Sequence, residues 1–190
     1  MKYQDPEFNW PSFLFFFLVG YLCVFFEGRV MFFRDFMGAQ IDFLPGLVMY
    51  GALGLSSGAA LFSAAAFGLM YDALSANPLG TSMGALVILT WITLFYREVL
   101  LSDQFTTHWV LGFIASALSP VLALVILYLL GEQPLIGIGS LWQWLIMAAG
   151  GGVITPVWFR VFRRFDAAFR YQEVPESTFR ADREIERGRH

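Results

Sequence analysis

The sequence predicts an all-α integral membrane protein, with six transmembrane helices, or five, gathered in one compact bundle. Three observations carry that expectation. Of the 190 residues, 57% are hydrophobic and 14% charged, with a mean hydropathy of +0.62. A soluble domain carries roughly a quarter charged residues. The charges are unevenly spread, leaving uncharged runs at 8–26, 43–71, 73–96, 104–131 and 133–159. Each run is continuously apolar and lacks a period of two, which points to helices and not to a barrel. The net charge of -3 gives no basic excess for nucleic acid. The single cysteine, Cys23, excludes an intramolecular disulfide and a cysteine-built metal cluster.

The first span, about 10–26, opens at Asn9-Trp10-Pro11, a helix start with an interfacial tryptophan. It reads as a retained span and not a signal peptide. Lys2, Asp5 and Glu7 make no positive leader, and Glu27-Gly28-Arg29 is a poor cleavage site. The run 43–71 is ambiguous. As one helix it would be roughly 43 Å long at 1.5 Å per residue, well beyond a hydrocarbon core of about 30 Å. Its centre, Gly54-Leu55-Ser56-Ser57-Gly58, can form a turn. Splitting there gives short helices at about 43–54 and 59–71, which fit only if protein surrounds their ends. The remaining spans fall at about 79–96, 109–130 and 135–159.

Residues 160–190 hold 8 Arg against 6 acidic residues, while 1–159 hold 4 basic against 9 acidic. The positive-inside bias therefore places the C-terminus in the cytoplasm. Six spans then put Arg29 and Arg34 outside, and five put them inside, so length and charge favour different counts. Beyond the last span, Trp158, Phe162, Phe165 and Phe169 share one helical face, with Arg160, Arg163, Arg164 and Arg170 beside them. That pattern predicts a helix lying along the membrane surface, its arginines toward anionic headgroups. The segment 180–187 mixes charges with few apolar residues and reads as disordered, or as a helix that orders on a partner.

Asp72 stands between two apolar runs. An acidic residue at such a place is a functional candidate. The favoured reading is structural: the carboxylate ends one helix before the Asn77-Pro78 turn and reaches water or nearby backbone N–H groups. Gly68, Asp72, Pro78, Leu79 and Gly80, a Gly-x-x-x-Asp element followed by Pro-x-Gly and another apolar helix, resemble the rod shape-determining protein MreD family. Ile41-Asp42-Phe43-Leu44-Pro45 is similar to the entry to that family's second hydrophobic segment. The resemblance covers roughly residues 10–160.

The resemblance implies a non-enzymatic subunit, without cofactor, of the bacterial inner membrane. It would belong to the elongation complex that builds side-wall peptidoglycan and sets cell shape. Its implied partners are an MreC-like bitopic protein, a RodA-like glycosyltransferase with its penicillin-binding transpeptidase, the MreB filament directly or indirectly, and membrane lipid. The family is also similar in fold to the substrate-binding S-components of energy-coupling-factor vitamin transporters. A substrate-capturing subunit is therefore the alternative, with a cavity lined by Trp91, Tyr96 or Trp142.

Gly80-Thr81-Ser82-Met83-Gly84 matches a Gly-x-Ser-x-Gly hydrolase pattern, and Ser82 with His108 makes a third and weaker reading. The same residues form a Gly-x-x-x-Gly step, repeated at Gly54 and Gly58, which predicts close helix packing. Asp72, Pro78, Gly80, Gly84, Gly54 and Gly58 are accordingly the candidates for partner contact and packing. His108 beside Trp109 reads as an interfacial pair. Gly150-Gly151-Gly152, followed by Pro156, predicts a loosened or kinked helix with a close neighbour. Glu27, Arg29, Arg97 and Glu98 read as solvated anchors. Phe13, Phe15, Phe16 and Phe17 read as a face for lipid or another membrane helix.

Overall fold

A computed structural model describes residue 6 and residues 8–29, 38–100, 105–132 and 137–170. Arg34, Asp103 and the tail segment 180–187 lie outside the described residues, as do the side chains of Phe169 and Arg170. Among the described residues there are six helices and no strand. These are α1 (Trp10–Arg29), α2 (Leu44–Gly54), α3 (Ser57–Leu74), α4 (Thr81–Phe95), α5 (Phe105–Leu129) and α6 (Ile138–Arg170). A single helical turn, Arg97–Leu100, comes after α4. Four helices, α1, α3, α5 and α6, are long and apolar enough to cross a membrane, while α2 and α4 are shorter.

The run 43–71 is broken at Leu55 and Ser56, within the predicted Gly-Ser turn. The break leaves α2 short. Its 11 residues rise roughly 16 Å at 1.5 Å per residue, about half a bilayer core. Every residue from Leu44 to Leu53 is buried, and the helix touches each of the other five. It is the centre of the bundle and its neighbours form the wall.

An aromatic core fills the space where α1, α2 and α6 meet. Tyr50 stacks on Phe162 at 4.4 Å, Phe15 on Phe165 at 3.8 Å, and Phe16 packs on both Phe67 and Phe162. Phe16 is buried, and Phe13, Phe15 and Phe17 are half-buried against that core. The α1 phenylalanines therefore face inward, contrary to the expected lipid-facing run. The last span also differs from expectation: α6 continues unbroken from 138 to 170, through Gly150–Gly152 and Pro156. Trp158, Phe162 and Phe165 do share a face, but that face packs against α1 and α2. The nearby phenylalanines offer it more buried area than an interfacial position would. Arg160, Arg163 and Arg164 point outward from the opposite side.

Small residues let the backbones close. A Cβ at Gly68 would collide with the Met83 backbone on α4. One at Gly112 would collide with Thr155, and one at Gly151 with Ser116, so α5 and α6 meet along a seam of small residues. Gly46 of α2 abuts the same Thr155. The predicted neighbour of the triple glycine is thus found, with Gly151 at the contact. Gly84 packs on Ile126 of α5 as expected. Gly54 and Gly58 make no such contact: both are exposed, Gly58 has open space, and Gly54 faces only Tyr50 of its own helix. Their spacing marks the turn and not a packing seam.

Gly68→Val should therefore force α3 and α4 apart and cost about 1–3 kcal/mol, the usual range for overpacking. Gly58→Ala should change stability by no more than about 1 kcal/mol, in the stabilising direction. Thermal melts of the purified variants in one detergent compare the two.

Candidate functional site

A helix buried at mid-bundle cannot leave its end groups to water, so charges at α2's ends have a defined task. At its C-terminal end the Arg97 guanidinium, 2% exposed, donates through Nη2 to the carbonyls of Leu53 at 2.7 Å and Leu55 at 2.8 Å. At its N-terminal end the Phe43 N–H donates to Glu27 Oε1, and the Leu44 N–H to Asp42 Oδ1 at 3.0 Å. Gln40 Nε2 donates to the Glu27 carbonyl and secures the incoming loop on α1. Negative groups at the N-terminus and a cation at the C-terminus match the helix dipole. Glu27 and Arg97 are thus buried structural groups, not the solvated anchors expected.

The Glu27 and Asp42 carboxyl groups lie within hydrogen-bonding reach of each other. Two carboxyls that close are held together by a proton and repelled without it. Burial pushes Asp42 up to about 6, partly offset by the Leu44 N–H and Glu27.

Asp72 closes the other joint. Its carboxylate is 2% exposed and accepts the N–H groups of Gly80 at 2.8 Å, Ser82 at 2.9 Å and Met83 at 3.2 Å. The end of α3 thereby caps the start of α4 across the loop. Three donors to one carboxylate at a helix N-terminus are charge-assisted and favourable. Gly80 sits at φ +100°, a left-handed conformation that side chains rarely adopt, and a Cβ there would meet open space. It serves the turn's backbone and not helix packing, a second correction to the glycine pattern. Pro78 supplies the carbonyl that accepts Thr81 Oγ1 at 2.9 Å. Gly68, Asp72, Pro78 and Gly80 are therefore parts of one joint.

The serine reading loses its geometry. Ser82 stands at the end of the bundle that holds Asp72. His108 lies toward the opposite end, buried and stacked on Phe159 at 3.9 Å. His108 is thus a core residue and not the interfacial one expected, while Trp109 beside it is exposed. Trp91, Tyr96 and Trp142 are likewise exposed. None of the three lines the apolar cleft of about 290 Å³ between α1 and α6, which is walled by Cys23, Phe26, Phe43, Ile154, Val157 and Trp158. No group of three or more potential metal ligands occurs among the described residues.

Sequence reasoning missed Arg97, Glu27 and Asp166 as working parts. Asp166 accepts Ser12 Oγ at 2.7 Å and the Tyr50 hydroxyl at 3.0 Å, tying α1, α2 and α6 together near the exposed arginines. The available signal was the isolation of Glu27 and Arg97 at the edges of apolar runs, the same signal that singled out Asp72.

Because folding raises the Asp42 pKa from an ordinary 3.8 to about 6, the folded chain holds a proton there that the unfolded chain releases. Asp42's contribution is fully present below about pH 4 and is lost as pH rises through about 6. Asp42→Asn keeps an acceptor for Leu44 and removes the charge. Melting temperatures of the two proteins should agree near pH 4 and diverge as pH rises through about 6, with the variant the more stable at about pH 7.5.

No protein-family model, curated protein or solved structure matches this chain.

Proposed function

We propose that this chain is a non-enzymatic, multi-pass subunit of the bacterial inner membrane, MreD-like, that scaffolds the elongation complex for side-wall peptidoglycan. In this reading all six helices cross or enter the bilayer, both termini lie on the cytoplasmic side, and Arg160, Arg163 and Arg164 mark that side. The observation that carries the reading is the Asp72–Gly80 joint. The residues on which the resemblance rests form a closed connection between α3 and α4, with the carboxylate occupied by backbone donors. A carboxylate so engaged suits a rigid framework that presents its loops and outer helix faces to other proteins. Its partners would be an MreC-like bitopic protein and a RodA-like polymerase with its transpeptidase, with the MreB filament reached directly or through them. The exposed apolar faces, including Leu14, Leu18, Trp91 and Phe95, are available to lipid or partner helices.

The test is cross-linked capture of the full chain from native membranes, beside an Asp72→Ala variant that still inserts. The expected result is recovery of MreC-like and RodA-like proteins with the parent chain and a reduced yield with the variant. Recovery of an ATPase pair with a coupling membrane subunit would overturn the scaffold reading in favour of a vitamin-transporter component.

A further inference from the structure

The outward side of α6 changes character along its length. Leu141, Trp142, Leu145, Val153 and Val157 present exposed apolar surface, and from residue 160 the exposed groups become Arg160, Arg163 and Arg164. Residues 138–159 rise roughly 33 Å at 1.5 Å per residue, about the thickness of a hydrocarbon core. On this face the step from valine to arginine therefore coincides with the passage from acyl chains to headgroups. Val157, Arg160 and Arg164 recur at spacings of three and four, so they lie on one stripe. Asp166, the acid nearest in sequence, is turned to the other side and held by Ser12 and Tyr50, which leaves the stripe cationic.

The same stripe borders a cavity. Val157 is also a wall of the apolar cleft of about 290 Å³ between α1 and α6. Trp158, another wall, buries an indole N–H that has no acceptor among the described residues. An apolar slot, a buried donor and guanidinium groups one to two turns further along the helix match the successive parts of one molecule: an acyl chain, an ester carbonyl and a phosphate.

We propose that the α1–α6 cleft with Arg160 and Arg164 is a binding site for an anionic phospholipid. One acyl chain lies against Val157, and the phosphate-bearing headgroup rests on the arginines. This inference rests on the membrane reading but not on any protein partner. A neutral headgroup would fill the slot equally well and forgo the charge, so the site discriminates by headgroup. An acidic protein segment would satisfy the arginines and leave the cleft empty.

The full chain is reconstituted in nanodiscs of phosphatidylcholine containing a minority of phosphatidylglycerol, both with palmitoyl and oleoyl chains. Lipid retained on mild release is counted by native mass spectrometry. One basic residue at an anionic surface is worth about a fivefold preference. The parent chain should retain phosphatidylglycerol in clear excess over its share, and Arg160→Gln with Arg164→Gln should reduce that excess by about 25-fold. Val157→Trp, which fills the cleft, should lower retention of both lipids while leaving the melting temperature within a few degrees. Equal retention of the two lipids by the parent chain, or no change in the double variant, would overturn the proposal while leaving the membrane reading intact. Failure of the parent chain to enter nanodiscs of either composition would overturn both. Loss of the preference on adding a soluble acidic peptide, with the cleft variant behaving as the parent, would assign the arginines to a protein partner instead.

Discussion

The fold depends on satisfying the two ends of one short buried helix. α2 is too short to reach water at both ends of the bundle, so its terminal N–H and C=O groups need partners from the chain itself. Glu27 and Asp42 supply acceptors at one end, and Arg97 supplies donors at the other. Removing one partner from a buried charged arrangement costs about 3–5 kcal/mol. Such a cost is a large share of the total stability of an ordinary domain, about 5–15 kcal/mol. The end groups therefore fix where α2 sits, and the five surrounding helices pack at distances set by that position.

Once α2 is placed, the remaining contacts depend on side-chain size. Thr155 lies where Gly46 of α2 and Gly112 of α5 approach α6, so backbone proximity replaces bulky interdigitation at the centre. Larger side chains are displaced toward α1, where Tyr50, Phe16, Phe159 and Phe162 fill the wider gap. The hydroxyls of Thr90 and Thr93 are satisfied on their own helix, through the carbonyls of Leu86 and Leu89. The polar content of the core is thus largely internal bonding between backbone and side chain, in keeping with a bundle that supports other proteins from a fixed shape.

The helices were legible in the sequence because uncharged length and turn residues act locally. The break at Leu55–Ser56 and the cap by Asp72 depend on residues close to one another in the chain. The roles of Arg97 and Glu27 do not. Each bonds to backbone across a helix-to-helix contact, Arg97 more than forty residues away, and a charge at the edge of an apolar run looks the same whether it faces water or a buried helix end. The glycine pattern failed for a related reason. Gly-x-x-x-Gly spacing describes one helix, whereas packing depends on the neighbour, so Gly58 met open space while Gly68 and Gly112 met backbone or threonine. The aromatic face of α6 was read correctly as a face but assigned to the membrane surface, because nothing local to 158–169 reveals that α1 and α2 stand opposite.

The most direct test of the central claim is amide hydrogen exchange over residues 44–54 of the full chain in nanodiscs, alone and with Arg97→Met. If the buried charges hold the central helix, α2 exchanges slowly to both of its ends, unlike a helix that frays into solvent. The variant then selectively accelerates exchange around 51–56 while the α5–α6 seam stays protected. Ends of α2 that exchange as fast as those of α1, or a variant with unchanged protection, would show that the buried charges do not hold the central helix in place.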